Sequence, residues 1–294
     1  MDLFKVIILS IIEGITEFLP VSSTGHLIIA NAFLKLEPAH FANVFNIVIQ
    51  LGAILSVVVV FFHRLNPFSI RKIPPHRRPE NYTKWNWQTR AYYCFKHADP
   101  ATLRLWAKVL VGIIPAFVLG FLFDDFIDEH LMTTSVVIVT LFLYGVIMIL
   151  VENWNARRQH VVWETVDALD YRTAFLIGCF QCLALIPGTS RSAATIIGAM
   201  LLGTSRAAAA EYSFFLAIPV MGGATLLKVL KNVGGLTGGQ WALILLGTVL
   251  SFLVAYVVIR KFMAYVQKHD FKVFGYYRIA LALVLLVVML FQRA

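Results

Sequence analysis

Residues 13–26 read EGITEFLPVSSTGH, and residues 185–195 read LIPGTSRSAAT. Each stretch places a proline and several hydroxyl side chains between two apolar segments. A proline ends the helix that precedes it, and the Ser or Thr residues that follow are favourable first residues for the next helix. The sequence therefore predicts a break between two helices at each of these two points.

The composition around these breaks is that of a membrane protein. Of the 294 residues, 59% are hydrophobic and 14% are charged, and the mean hydropathy is +0.77. Soluble domains carry about 25% charged residues. The composition excludes a disordered chain, a secreted disulfide scaffold and a soluble enzyme. The net charge of +9 is expected on the loops of a membrane protein and is therefore poor evidence for nucleic-acid binding.

Six stretches of the chain are apolar over nearly the length of about 20 residues that a membrane-spanning helix needs. They are residues 41–62, 105–123, 131–151, 209–227, 240–259 and 275–291. Four other apolar pieces flank the two breaks, at residues 3–19, 25–36, 171–186 and 193–203. The second piece of each pair is too short to cross a bilayer. We therefore expect each break to form a re-entrant helical hairpin.

The two hairpins align with each other when Pro20 is set over Pro187. Each half of the chain, about residues 1–152 and 171–294, then holds one hairpin and three spans. Because three is odd, the second half is inverted relative to the first, as in many transporters with a site at the repeat interface. The predicted fold is an all-α integral membrane protein with one membrane domain, residues 1–294. It has six transmembrane helices plus two re-entrant helical hairpins, arranged as an inverted-topology repeat.

The charges of the loops predict the orientation. Residues 63–104 contain nine Lys or Arg residues and two acidic residues, which is typical of a cytoplasmic loop. Residues 124–130 contain four acidic residues and no Lys or Arg, so we expect them outside. When inside and outside loops alternate along the whole chain in this way, both termini lie outside. Residues 74–87, with Trp85 and Trp87 among basic residues, are expected to lie along the cytoplasmic headgroups rather than to bind nucleic acid.

The first break carries groups suited to chemistry. Glu13 and Glu17 are four residues apart and share one helix face. Two carboxylates at membrane depth repel each other unless one is protonated or a cation lies between them; the alternative is a shallow helix on which both reach water. His26 could act as a base or nucleophile, or it could be a structural histidine bonded to a carbonyl. Residues 22–24 form either an ordinary N-cap or an anion site at a helix N-terminus.

The second break carries the positive charge. Arg191 needs an anionic partner in an apolar stretch, and a guanidinium suits phosphate; the alternative is an internal salt bridge to Glu13 or Glu17. Gly188 allows a ligand to approach the backbone closely. With the hydroxyls of both breaks, this set is suited to phosphoryl chemistry, which needs positive groups, a nucleophile or base, and acids that could hold a divalent cation.

Residues 13–26 and 187–195 resemble the two signature motifs of the undecaprenyl-diphosphate phosphatase family of the bacitracin-resistance type. The resemblance extends to residues 45–54, 112–115, 171–181 and 211–219, which read FNIVIQLGAI, GIIP, YRTAFLIGCFQ and EYSFFLAIP. It implies a multi-pass hydrolase of the bacterial plasma (inner) membrane, with its active site facing the outer side. Such an enzyme converts undecaprenyl diphosphate to undecaprenyl phosphate and inorganic phosphate, recycles the carrier lipid for peptidoglycan synthesis, and confers bacitracin resistance.

The resemblance also implies roles for individual residues. It makes Glu13 and Glu17 catalytic acids that hold a divalent cation, Mg²⁺ or Ca²⁺. It makes Ser23 and His26 candidates for the nucleophile or base, and Arg191 the group that binds the diphosphate. The other expected substrate-binding residues are Ser22, Thr24, Gly188, Thr189, Ser190, Ser192 and Thr195. Two departures from the family pattern are Ala193, where a glycine is usual, and the long basic loop of residues 63–104.

A second function is also compatible with the sequence. Inverted hairpins are how transporters are built, so a transporter or flippase of a polyprenyl phosphate or another anionic lipid is the alternative. Both functions expect the membrane and an anionic lipid as partners, expect no nucleic acid, and leave a homodimer open. Both also expect Ser23 and Arg191 to lie within roughly 10 Å of each other, a span that one bound diphosphate could bridge.

Overall fold

The computed structural model describes residues 2–79, 81–157, 161–232 and 234–293, and within these ranges it contains α-helices, short 3₁₀ turns and no β-strand. The helices of the first half are α1 (Asp2–Thr16), α2 (Ser23–Phe33), α3 (Ala39–Val60), α4 (Phe62–Leu65), α5 (Trp87–Lys96), α6 (Pro100–His130) and α7 (Thr134–Ala156). Those of the second half are α8 (Tyr171–Gln181), α9 (Arg191–Leu201), α10 (Arg206–Asn232), α11 (Gly238–Val266) and α12 (Lys272–Arg293). The predicted all-α class is confirmed.

Five of the described helices are long and apolar enough to cross a membrane, namely α3, α6, α7, α11 and α12. They correspond to five of the six predicted spans, so the chain is a multi-pass membrane protein. The sixth predicted span, residues 209–227, falls in α10, which is not among these five. The side chains of Ala224 and Leu227 in α10 lie outside the described part of the chain. The six-span arrangement therefore stays a prediction.

α10 is the central helix of the fold. Its side chains Tyr212, Phe214, Phe215 and Leu216 are fully buried in the largest apolar cluster, to which α3, α6, α7, α8, α9 and α11 also contribute. The Phe18 ring, from the first break, packs edge-on against Phe214 at 5.3 Å between centroids. The core therefore holds the first break against the middle of the second half.

The first helix of each hairpin packs against a long helix of the other half. α1 lies on α11, and α8 lies on α6. Both contacts depend on glycine: a side chain at Gly14 would come within 2.8 Å of the Ser251 carbonyl oxygen, and one at Gly178 would overlap the Gly112 carbonyl. The two halves are thus interlocked, which brings their breaks toward one another.

The basic loop of residues 63–104 is folded. It contains α4, α5 and three 3₁₀ turns. Asp99 caps α6 through a bond of 3.1 Å from the Thr102 amide, and the Asp99 amide donates to the Pro67 carbonyl at 2.8 Å. The Lys72 ammonium group donates to the Arg64 carbonyl at 2.9 Å. These bonds hold the loop against the start of α6.

Candidate active site

The two breaks meet at one cavity of about 210 Å³. The predicted site residues that line it are Glu17, Ser22, Ser23, Thr24, Gly188, Ser190 and Arg191. Ser23 and Arg191 both contact the Glu17 carboxylate, so the prediction that they lie within roughly 10 Å of each other is confirmed. The structure therefore joins motifs that are far apart in the sequence.

Both breaks have the same backbone conformation at the start of the second helix. Ser22 and Ser190 are the N-caps of α2 and α9, and their hydroxyls accept from the Gly25 and Ala193 amides at 3.4 and 3.3 Å. Among the described non-glycine residues only these two have positive φ, at 70° and 72°, a conformation that costs energy for a side chain with a Cβ. The N-cap alternative for Ser22 is confirmed. When Pro20 is aligned with Pro187, Ser22 lies over Thr189 rather than over Ser190. The two N-caps are therefore offset by one residue in this alignment.

The acidic pair of the first break is enclosed by protein. Glu13 is fully buried, and neither of its carboxylate oxygens has a hydrogen-bond donor among the described residues. Glu13 interacts electrostatically with Glu17, whose side chain is 8% exposed. The alternative in which both carboxylates reach water is therefore wrong for Glu13.

Ser23 is paired with Glu17. Its hydroxyl donates to Glu17 Oε2 at 2.8 Å. A hydroxyl that donates to a carboxylate is aligned to lose its proton, and this is the arrangement of a nucleophile beside a general base. The geometry thus offers Glu17 as the base nearest to Ser23.

Arg191 brings the positive charge to the same carboxylate. Its Nη2 lies 3.7 Å from Glu17 Oε1, and its Nη1 donates to the Ser213 carbonyl at 2.8 Å. The internal salt bridge considered from the sequence is therefore present. Nε and Nη2 have no hydrogen-bond acceptor among the described residues. These N–H groups remain available for the oxygens of a phosphate.

His26 is bonded away from Ser23. Its Nδ1 lies 2.8 Å from the Ser22 carbonyl oxygen, which can only accept, so Nδ1 carries the proton. Nε2 then accepts from the Tyr277 hydroxyl at 2.6 Å, and the two rings stack with their centroids 5.5 Å apart. The structure contains the carbonyl bond expected of a structural histidine, and His26 is not among the cavity-lining residues.

Three predicted binding residues lie behind the cavity wall. Thr189, Ser192 and Thr195 are fully buried and do not line the cavity. Ser192 donates to the Leu19 carbonyl at 3.0 Å, a direct bond between the two breaks. Thr195 donates to Ser213 at 2.7 Å, the residue whose carbonyl accepts from Arg191. These hydroxyls therefore support the site from behind.

Three polar or charged residues of the site, besides the apolar lining residues Ala184 and Met221, were missed in the sequence. The Arg278 guanidinium, fully buried in α12, donates to the Pro20 carbonyl at 3.3 Å and the Gly188 carbonyl at 2.9 Å, and so joins the two breaks. Tyr277 orients His26, and Gln50 of α3 lines the cavity. The cost of a charge at membrane depth, which singled out Arg191, would also have found Arg278.

The acidic pair fits a divalent cation on one condition. Glu13 has two buried carboxylate oxygens without donors, and Glu17 is its neighbour. Among the described residues no cluster of three or more His, Cys, Asp or Glu side chains is found. Mg²⁺ is commonly held by one or two carboxylates together with water and substrate phosphates. The two glutamates are sufficient for such an ion if the substrate supplies further ligands.

Comparison with known proteins adds an independent line of evidence. Residues 6–284 match the family model described as "Bacitracin resistance protein BacA". The chain is 48% identical to an undecaprenyl-diphosphatase of Lactiplantibacillus plantarum, over 97% of each chain. It is 48% identical to undecaprenyl-diphosphatase 1 of Clostridioides difficile, over 97% of this chain and 96% of the relative, and 47% identical to an undecaprenyl-diphosphatase of Limosilactobacillus fermentum, over 97% of each. The chain therefore belongs to the family of the bacitracin resistance protein BacA.

Proposed function

We propose that this protein is an undecaprenyl-diphosphatase that converts undecaprenyl diphosphate to undecaprenyl phosphate and inorganic phosphate. This reaction recycles the carrier lipid for peptidoglycan synthesis and opposes bacitracin. The names of the relatives support the activity. The observation that carries it is the cavity in which the Ser23 hydroxyl, the Glu17 carboxylate and the Arg191 guanidinium meet.

The substrate is bound through its diphosphate. The Nε and Nη2 groups of Arg191 donate to the phosphate oxygens, and the N-terminal turns of α2 and α9 face the same cavity. The polyprenyl tail stays among the apolar helices. Because Arg191 already lies near Glu17, a bound phosphate shares the guanidinium with that carboxylate.

The reaction begins at Ser23. Its oxygen attacks the terminal phosphorus while its proton passes to Glu17. The bond between that phosphorus and the bridging oxygen breaks, and undecaprenyl phosphate leaves. The proton on Glu17 passes to the departing phosphate oxygen, which restores the carboxylate. Water then attacks the phosphoserine and gives a proton to Glu17. The bond between phosphorus and the Ser23 oxygen breaks, the Ser23 oxygen regains the proton from Glu17, and inorganic phosphate is released. In the direct route, a water in place of Ser23 loses its proton to Glu17. Trapping of a phosphoenzyme distinguishes the two routes.

Glu13 and Glu17 are the residues that would hold a Mg²⁺ or Ca²⁺ ion. When bound there, such an ion would supply Lewis-acid neutralisation of phosphate charge. The buried, donor-free oxygens of Glu13 support this assignment. His26, held by Ser22 and Tyr277, keeps a neutral imidazole at the start of α2 and fixes the turn that presents Ser23.

The finer architecture that we propose has six spans and two re-entrant hairpins in an inverted repeat, with halves of about residues 1–152 and 171–294. The packing of α1 on α11 and of α8 on α6 supports it, because each pair joins one hairpin to the second long helix of the other half. The matched caps Ser22 and Ser190 support it as well. The loop charges favour a plasma-membrane orientation with both termini and the site on the outer side.

Phosphate release in detergent tests the function, because no compartments exist there and transport alone yields no product. The purified protein is given a polyprenyl diphosphate and a divalent cation. We expect release by the native protein, a loss of about 1,000-fold or more with Ser23→Ala or Glu17→Gln, and little change with the control Ser69→Ala, a half-buried serine outside the cavity. Lipid binding without phosphate release would contradict the proposal and favour the transporter or flippase.

A further inference from the structure

The basic loop of residues 63–104, here called the basic lobe, contains a cavity that is separate from the candidate active site. Its volume is about 490 Å³, and aromatic side chains, among them Phe68, Tyr92 and Phe95, form most of the lining. The Phe68 and Phe95 rings stack at 5.6 Å between centroids. The phosphatase proposal assigns no task to this cavity.

The lining is ordered by contacts within the lobe. The Arg90 guanidinium lies over the Tyr82 ring at 5.5 Å, and the Tyr82 hydroxyl lies 3.3 Å from the Sγ of the buried Cys94. The Arg78 side chain donates to the Ile73 carbonyl at 2.7 Å. With the bonds that tie Asp99 and Lys72 to the start of α6, these contacts make the cavity a built feature of the lobe.

Large aromatic side chains of α5 are exposed. Tyr92 and Phe95, which line the cavity, are 68% and 69% exposed, and Trp87, at the start of the same helix, is 76% exposed. Exposed aromatic groups beside a cavity are unfavourable in water and mark a binding surface. Tryptophan and tyrosine are the residues that favour the interface between membrane and water.

The charge of the lobe indicates what that surface binds. Six of its Lys and Arg side chains are exposed: Arg71, Arg77, Arg78, Lys84, Lys96 and Arg104. Among the described residues of the lobe the one carboxylate is Asp99, which is engaged by Thr102 and lies 3.7 Å from the Lys72 ammonium. An excess of exposed cations on a lobe that also holds an apolar cavity, with Arg90 in its lining, is complementary to an anion that carries a hydrocarbon chain.

The position of the lobe indicates which kind of anion it binds. It connects α3 to α6, two helices that are long and apolar enough to span the membrane, so bilayer headgroups lie within reach of its side chains. We propose that the basic lobe is a binding site for an anionic phospholipid of the adjoining leaflet. The aromatic cavity takes the upper part of an acyl chain, and the surrounding cations take the phosphate. This proposal does not depend on the phosphatase activity.

Tryptophan quenching by brominated lipids tests the site on the full-length protein in nanodiscs. The discs contain phosphatidylcholine with rising fractions of either brominated phosphatidylglycerol or brominated phosphatidylcholine. The difference between the native protein and Trp87→Phe isolates the signal of Trp87. We expect half-maximal quenching at a several-fold lower fraction of phosphatidylglycerol than of phosphatidylcholine.

Two variants and one matched control locate the effect. The triple change Arg71→Gln, Arg77→Gln and Lys84→Gln should abolish the preference for phosphatidylglycerol, and Ala91→Phe, which fills the cavity, should reduce quenching by both lipids. The control removes three exposed charges elsewhere, with Arg260→Gln, Lys261→Gln and Lys268→Gln, and should keep the preference. Monodisperse elution of each variant in detergent verifies its fold.

Three results would overturn the proposal. Equal quenching of native Trp87 by the two lipids would remove the selectivity for an anion. An equal loss in the control variant would assign the effect to net charge rather than to the lobe. Binding of a fluorescent single-stranded RNA that depends on the lobe, without any preference for phosphatidylglycerol, would assign the lobe to nucleic acid.

Discussion

The first and second breaks have the same backbone and opposite chemistry. Each has a serine N-cap with φ near 70° that starts a helix of 11 residues. The first break contributes Glu13, Glu17 and the Ser23 hydroxyl, whereas the second contributes Arg191. The residue after the cap is Ser23 in one and Arg191 in the other. The same turn therefore presents different side chains in the two breaks, and the site is complete only where the two breaks meet.

The two breaks also differ in how they are enclosed. In α9 every residue from Ser192 to Met200 is buried, while α2 carries Phe33 at 75% exposure and half-buried Ile28 and Ile29. The second break is therefore fixed in the protein core, and the first lies nearer the periphery. We expect changes at the second break to act more on stability and changes at the first to act more on activity.

Apart from changes to Ser23 and Glu17 themselves, the largest effect is expected where one side chain holds both breaks. Arg278→Gln leaves the Pro20 and Gly188 carbonyls with weaker donors and should reduce phosphate release about 100-fold, a typical loss for a buried charge-assisted bond at an active site. Arg278→Lys should retain part of the activity, since one ammonium group can reach one carbonyl. Steady-state kinetics measure both. Activity equal to that of the exposed control Arg260→Gln would show that Arg278 does not hold the breaks together.

A stability difference is expected between the hairpins. Gly178→Ala forces a methyl group into the Gly112 carbonyl, whereas at Gly14 the nearest atom is 2.8 Å away. Overpacking of this kind costs about 1–3 kcal/mol. Thermal unfolding in detergent should show a larger decrease in Tm for Gly178→Ala than for Gly14→Ala. Gly222→Ala, with no atom within 4 Å, is the control. A decrease for the control as large as that for Gly178→Ala would refute the packing argument.

A smaller effect on activity is expected from a change that affects only the first break. Tyr277→Phe removes the hydroxyl that donates to His26 Nε2 and should lower kcat about tenfold, the value of one hydrogen bond to a group that positions the nucleophile. KM should change little. The adjacent change Tyr276→Phe, at a side chain that is 60% exposed, is the matched control. In the His26→Ala background, Tyr277→Phe should have no further effect. An additive loss there would mean that Tyr277 acts by another route.

The smallest effect is expected at Asp170, which precedes α8 and lies in none of the five candidate spans. Thr173 donates to the Asp170 carboxylate, at 2.7 Å from its amide, and these bonds hold the pKa of Asp170 below its usual value. Because the folded state has the lower pKa, the cap stabilises α8 above the ordinary pKa of Asp and loses this effect as the pH falls through the folded value. Tm measured from about pH 5 to about pH 3 should fall less for Asp170→Asn than for the native protein. Parallel curves would exclude this cap as a source of the pH dependence.

The sequence predicted the parts of the site that depend on local chemistry. A proline followed by hydroxyl residues predicted each break, and the pairing of the motifs predicted that Glu17, Ser23 and Arg191 meet. The partner of Ser23 could not be predicted, because the direction of a side chain in a turn with positive φ depends on the whole turn. The second turn contains Gly188 at φ 86°, and its cap lies one residue further from the proline than the cap of the first turn.

Contacts between distant elements were the part that the sequence did not reveal. Arg278 and Tyr277 lie in a stretch that is apolar enough to be interpreted as a simple span, and their partners are more than 80 residues away. Gln50 is one polar residue in the middle of α3. Residues 74–87 of the basic lobe were predicted to lie along the headgroups from their tryptophans and charges, but the cavity of the lobe depends on the packing of Phe68 against Phe95 of α5.

The most direct test of the central claim is a cross-link between the breaks. Thr24 and Ala184 both line the cavity, so cysteines placed there, in a chain whose Cys94, Cys179 and Cys182 are replaced by serine, should be joined by a short bifunctional thiol reagent. Mass spectrometry of the digested protein should find the peptide pair from one chain, and not find it for Thr24→Cys with Lys268→Cys. Reactive single cysteines that give no Thr24–Ala184 link would contradict the claim that both breaks share one cavity.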